Sequence, residues 1–75
     1  MSSDKDELIR AQNDLIGILF EIIKRLQANN TLDEEYFQLI ESEKTDIIQK
    51  RLDDILSQRA DNSKTVAKLL EKLES

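Results

Sequence analysis

The sequence predicts an all-α fold: an antiparallel helical hairpin with a short C-terminal helix, dimerising into a four-helix-type bundle. Three observations lead there. Apolar residues recur every three or four positions over most of the chain, which is the helical period and not the strand period. One glycine and no proline in 75 residues leave little to interrupt a helix. The apolar arc of the first segment is also wider than a single neighbouring helix covers. Leu, Ile, Val and Phe supply 23 of the 75 residues, above the level of a disordered chain, so residues 1–75 are expected to fold as one small domain.

Two polar clusters, Asn29-Asn30-Thr31 and Asp61-Asn62-Ser63, are the expected breaks, because short polar side chains compete for backbone hydrogen bonds and favour turns. The expected helices are therefore 4–28, 32–60 and 64–74. In the first, Leu8, Ile9, Ala11, Leu15, Ile16, Ile18, Leu19, Phe20, Ile22, Ile23 and Leu26 fill an arc of roughly 200° at 100° per residue. Ser3 with Asp6 resembles a capping box, acidic side chains crowd the positive helix start, and Lys24 and Arg25 suit the negative end.

The second segment opens on Thr31-Leu32-Asp33-Glu34, which has the Thr-x-x-Glu capping pattern. Its apolar residues fall in two groups. Leu32, Tyr36, Phe37, Leu39 and Ile40 share one face, with Tyr36 and Phe37 expected in the core near the turn. Ile47, Ile48, Leu52, Ile55 and Leu56 share another, rotated by about 100° if the helix is unbroken. The stretch 41–46 between them has no apolar residue, so a kink at 42–45 is the alternative to one continuous helix. The third segment places Val66, Leu69, Leu70 and Leu73 at helical spacing behind Asn62 or Ser63 as a cap.

Two long helices joined by a short polar turn are antiparallel neighbours. One hairpin leaves much of the first helix bare, which predicts a homodimer. The residues expected to self-associate are Leu8, Gln12, Leu15, Ile18, Leu19, Ile22 and Leu26. Gln12 lies inside the apolar arc, where it either sets register against its counterpart or rests at the rim with its amide in water.

Composition narrows function more than it names it. Without histidine or cysteine, the usual general base, the thiolate nucleophile and most transition-metal ligands are missing. No enzyme, cofactor or metal site is expected. The carboxylates at 33–35, 41–46 and 53–54 read as solvated, capped helix surface. The longest apolar run, 15–20, is far short of the about 20 residues that cross a bilayer. The polar side of the first helix mixes acids with bases, unlike a helix lying on a membrane. The first residues do not read as a secretory signal, and a cytoplasmic protein is the default expectation.

The expected role is a non-catalytic protein–protein interaction module, an adaptor, regulator or assembly component acting through helix–helix contacts. Two alternatives rest on outer faces. Arg10, Asn13, Phe20, Lys24 and Gln27 line one side of the first helix in a mix of cations, amides and an aromatic that an RNA-reading face uses. In architecture alone the expected hairpin resembles the small plasmid-copy-number regulators that dimerise as four-helix bundles and bind paired RNA loops; no motif is shared, so no residue role transfers. The formal charge of −5 and the lack of a basic stripe weigh against nucleic acid. Glu35, Asp46 and Asp53, expected on one side of a continuous second helix, are the other candidate: an acidic face that blocks a nucleic-acid-binding protein.

Overall fold

The computed structural model describes residues 2–74, with side chains from Asp4 onward, so the Ser3 cap lies outside the described side chains. It contains two helices that pack on each other, α1 (Ser2–Ile40) and α2 (Asp46–Glu74), and no strand among the described residues. The result is a rod of 66 × 17 × 15 Å with a radius of gyration of 18.3 Å, against about 11 Å for a compact domain of this length.

The seam between the helices follows a heptad rhythm. In α1, Ile18, Ile22, Arg25, Asn29, Leu32, Tyr36 and Leu39 are buried or half-buried, at alternating steps of four and three. In α2 the same steps run through Ile48, Leu52, Ile55, Arg59, Asn62, Val66, Leu69 and Leu73, of which only Arg59 is exposed. An apolar repeat of 3.5 residues is the signature of a coiled coil. The core is thin. Ile22, Leu32, Leu52 and Ile55 are buried, and only Ile55 is completely enclosed.

The hairpin is present, but its arms differ from those the sequence predicts. The expected helices 4–28, 32–60 and 64–74 are replaced by two, and there is no separate C-terminal helix; residues 64–74 are the end of α2. The expected breaks are helical because their polar side chains find other partners. Asn62 donates from Nδ2 to Oδ1 of Asn29 across the seam at 2.9 Å. The Thr31 hydroxyl donates to the Gln27 carbonyl (3.2 Å), and that of Thr65 to the Asp61 carbonyl (3.1 Å). A side chain bonded within the helix or to its neighbour no longer competes with the backbone ladder. Thr31 and Ser63 therefore sit inside helices and cap nothing.

The chain turns instead at 41–45, the stretch in which the alternative reading expected only a kink. The polar run offers nothing to bury, and the apolar face changes phase across it. Ser42 closes α1, its amide donating to the Leu39 carbonyl (3.0 Å) and its hydroxyl to that of Gln38 (3.3 Å). Thr45 caps α2 by accepting the Ile48 amide at 3.2 Å, and Asp46 stands in the first turn, where the helix dipole favours an acid.

Candidate interaction surface

The seam residues divide each helix into two flanks. Glu35 and Arg51 each immediately precede a seam residue, Tyr36 and Leu52, and they pair with each other: Arg51 Nε donates to Glu35 Oε2 at 2.5 Å and Nη2 to Oε1 at 2.7 Å. That pairing shows which flanks face the same way. Residues just before Tyr36-type and Leu52-type positions form one side of the hairpin. Those just after Ile18, Arg25, Ile55, Asn62 and Leu69 form the other.

The first side is polar and closed. Besides the Glu35–Arg51 fork, Arg25 donates from Nε to Glu21 (3.1 Å) and from Nη1 to Asn62 Oδ1 (3.1 Å). Hydrogen bonding to Arg51 holds the Glu35 carboxyl below the usual glutamate range, with opposite charge adding to it and burial opposing it. The same bond raises the Arg51 guanidinium further. A cleft of about 600 Å³ runs between Arg25, Ala28, Glu35, Arg51, Gln58 and Asn62. Within it Glu35 and Arg51 are paired with each other, and Arg25 is held by Glu21 and Asn62. Asn29 and Asn62 lie just beneath, buried and hydrogen-bonded, and no buried side-chain polar atom among the described residues lacks a partner.

The second side is apolar and open. On α1 it carries Ile16, Leu19, Ile23 and Leu26, each about half exposed, and on α2 Leu56 and Leu70 in the same condition. Between those two leucines, Ala60, Ser63 and Ala67 continue the line at steps of four and three. Ile16, Leu19, Phe20 and Ile23 enclose a shallow groove of about 200 Å³. No charged side chain falls within either line. Arg59 leaves the seam to meet Asp33 (2.7 Å) at the turn-side edge of the patch. Nearer the turn, Phe37, Ile40 and Ile47 are exposed. Phe37 therefore stands outside the core expected for it, while Tyr36 is half-buried in the seam.

Beyond α2, α1 continues as a single helix. Every residue from 4 to 17 is exposed, and Ile18 is the first that is not. Leu8, Ala11 and Leu15 prolong the seam rhythm and are exposed.

The residues expected to self-associate are thus of two kinds. Ile18 and Ile22 face α2 within the chain and are spent on the hairpin seam, a correction to their expected role; a two-helix seam needs the centre of the arc for itself. Leu8, Gln12, Leu15, Leu19 and Leu26 are exposed. Arg10, Asn13, Phe20, Lys24 and Gln27 are also exposed, on the side of α1 away from the seam. Lys24 is held 3.7 Å from Glu21, and Phe20 belongs to the apolar groove. The acidic trio does not form one face. The chain reversal at 41–45 puts Glu35 on the polar flank of α1, bound to Arg51, whereas Asp46 begins α2 and Asp53 accepts a bond from Gln49 (3.3 Å). Among the described residues, no three potential metal ligands converge, and no helix is long and apolar enough to cross a membrane.

Sequence reasoning missed the α2 half of the open flank and the Asn29–Asn62 bond. The signal for the first was the spacing of Leu56, Ala60, Ser63, Ala67 and Leu70, obscured by reading 61–63 as a turn. No protein-family model matches the chain, and neither a curated protein nor a solved structure shows a significant match to it.

Proposed function

We propose that the chain is a non-catalytic helical interaction module whose open apolar flank is covered by a second copy, the two hairpins forming a four-helix bundle. The carrying observation is surface area. The hairpin exposes 6226 Å², whereas a compact monomer of this mass exposes about 4,700 Å². The excess, about 1,500 Å², is more than the about 800 Å² that each partner contributes to a standard stable interface. The exposed large apolar side chains include Ile16, Leu19, Ile23 and Leu26 on one helix and Leu56 and Leu70 on the other, the kind of patch that marks a protein contact. A core with one fully enclosed side chain also gains from association, because burial in so short a chain barely offsets its ordering entropy.

The RNA-reading and acidic-decoy alternatives have less support: the candidate RNA stripe has its lysine beside Glu21 and its aromatic in the apolar groove, and the acidic trio is dispersed. The test is light scattering on a sizing column over a range of concentrations. The expected result is twice the chain mass for the native protein and a monomer for Leu26→Lys/Leu56→Lys with its helical circular dichroism retained. A native monomer at every concentration would refute the reading.

A further inference from the structure

The exposed arm of α1, residues 4–17, carries the same pattern as the open flank. The α1 line of that flank continues upstream without a break: Ile9, Gln12, Ile16, Leu19, Ile23 and Leu26 follow at steps of three, four, three, four and three, all exposed. Lys5 and Asn30, the next positions of the rhythm at either end, close the line with polar side chains. The step pattern reads the same in both directions. Laid antiparallel on a second copy, the line meets itself: Ile16 on the partner's Leu19, Gln12 on the partner's Ile23, Ile9 on the partner's Leu26. The two-fold axis then crosses between Gly17 and Ile18, and every contact is repeated by symmetry.

We infer that the arm of each copy lies antiparallel along the open flank of the other, a reciprocal exchange of arms. The inference rests on the proposed self-association and adds its geometry; the four helices are staggered, with three at each height of the overlap. The arm has a second apolar line, Leu8, Ala11 and Leu15, also exposed, and an arc that broad requires two neighbouring helices. The partner's flank offers two at the right height. Leu26 and Leu19, three and ten residues before Asn29, are level with positions 65 and 72, three and ten after Asn62, its hydrogen-bonded partner. That end of α2 carries Leu70, about half exposed, and the half-buried Val66 and Leu73. A two-fold axis crossing the helices keeps the seam sides of both copies on one side of the pair, so Leu8 and Leu15 turn toward the partner's α2 while Ile9 and Ile16 meet the partner's α1. An axis running along the helices would also pair the line with itself, but it turns Leu8 and Leu15 away from the partner's α2 and leaves them in water.

The chain has no cysteine, so single probes can be placed without removing any. Glu7, Asp14 and Ala28 are exposed and stand at multiples of seven on a face of α1 turned from the line. Each is changed to cysteine and spin-labelled, its mass is measured, and the distance between the two labels of the dimer is read by pulsed electron resonance. The exchanged arms place the labels about 25 Å apart at Asp14→Cys and about 40 Å apart at Glu7→Cys and Ala28→Cys. These follow from 1.5 Å of rise per residue on either side of the axis and helix axes about 8–10 Å apart, plus the label arms. In the same assay of mass, Ile9→Lys, outside the hairpin seam, raises the dissociation constant about a hundredfold or more with helical circular dichroism retained. Three equal distances, a shortest distance at another position, or an Ile9→Lys dimer as tight as the native one overturns the exchange and leaves self-association standing. A monomeric mass for the native chain overturns both.

Discussion

The two flanks of this hairpin are made by the same pair of helices in the same register, yet they end in opposite conditions. On one, long charged side chains find each other across the seam: Arg51 grips Glu35, and Arg25 bridges Glu21 and Asn62. On the other, Ile16, Leu19, Ile23 and Leu26 of α1 and Leu56 and Leu70 of α2 stand about half exposed. Charged pairs at the rim of a two-helix seam are satisfied within the chain and gain little from a further partner. Aliphatic pairs at the same rim remain half in water until another surface arrives. The difference shows how a chain this small can divide its labour. One flank completes the hairpin, and the other leaves its aliphatic side chains half exposed.

The comparison is broken most directly by placing the same charge on each flank. Leu19→Lys is expected to raise the dimer dissociation constant about a thousandfold, because each copy loses about 2 kcal/mol of burial and ten-fold corresponds to 1.4 kcal/mol. Ala28→Lys, at an exposed position of the polar flank, should leave the constant within a few-fold. Sedimentation equilibrium measures both. Equal effects would mean that the open flank is not the contact.

A second substitution separates what holds the flanks in register. Asn29→Ala removes the acceptor of the buried Asn62 amide, at a cost of about 1–3 kcal/mol. For a chain of this size that corresponds to a melting temperature lower by roughly 4–20 °C. Replacing both asparagines by leucine should recover stability while admitting slipped registers, visible as additional amide resonances, since a buried polar pair restricts alignment more than it stabilises. A single sharp set of resonances in the double variant would show that the aliphatic seam alone determines the register.

These asparagines also explain how much of the molecule the sequence disclosed. Periodicity and the lack of proline were enough for an all-helical hairpin, and the antiparallel packing of α1 on α2 followed from a short polar turn. The position of that turn was misread. Propensity treats Asn29 and Asn62 as breakers, but a partner 33 residues away reverses their meaning, and pairing at that separation is invisible to a local rule. The phase change between Leu39 and Ile48 was the better guide, since two apolar faces about 100° apart cannot both meet one neighbour. The open flank was half legible for a related reason. Leu19 and Leu26 stand out in any helical projection, whereas Ala60, Ser63 and Ala67 acquire significance only once α2 runs unbroken through them.

Acid tests the closed flank by itself. The Arg51 hydrogen bonds lower the Glu35 carboxyl in the folded hairpin from its ordinary value of 4.5. Their contribution is therefore complete above pH 4.5 and is lost as pH falls through the folded value. The melting temperature of the native chain should exceed that of Glu35→Gln at pH 6, and the difference should vanish in stronger acid. A difference that persisted unchanged at low pH would mean that Glu35 contributes through packing and not through its charge.

The smallest effect concerns the boundary of the open flank. Gly17 sits next to Ile16 in the middle of α1, and a methyl group built on it would meet nothing within 4 Å. Glycine in an exposed helix costs roughly 0.5–1 kcal/mol relative to alanine because its backbone loses more freedom on folding. Gly17→Ala should therefore raise the melting temperature by a few degrees. Its effect on the dimer is the sharper reading. Gly17 immediately precedes Ile18 in the seam and lies outside the lines of Ile16, Leu19, Ile23 and Leu26, on the side of α1 turned from α2. If the partner is confined to those lines, the added methyl group stays in water and the dissociation constant is unchanged. If the constant rises while the hairpin becomes more stable, the partner approaches the α1 backbone at Gly17, and the contact extends around α1 onto the side bearing Arg10, Asn13 and Lys24.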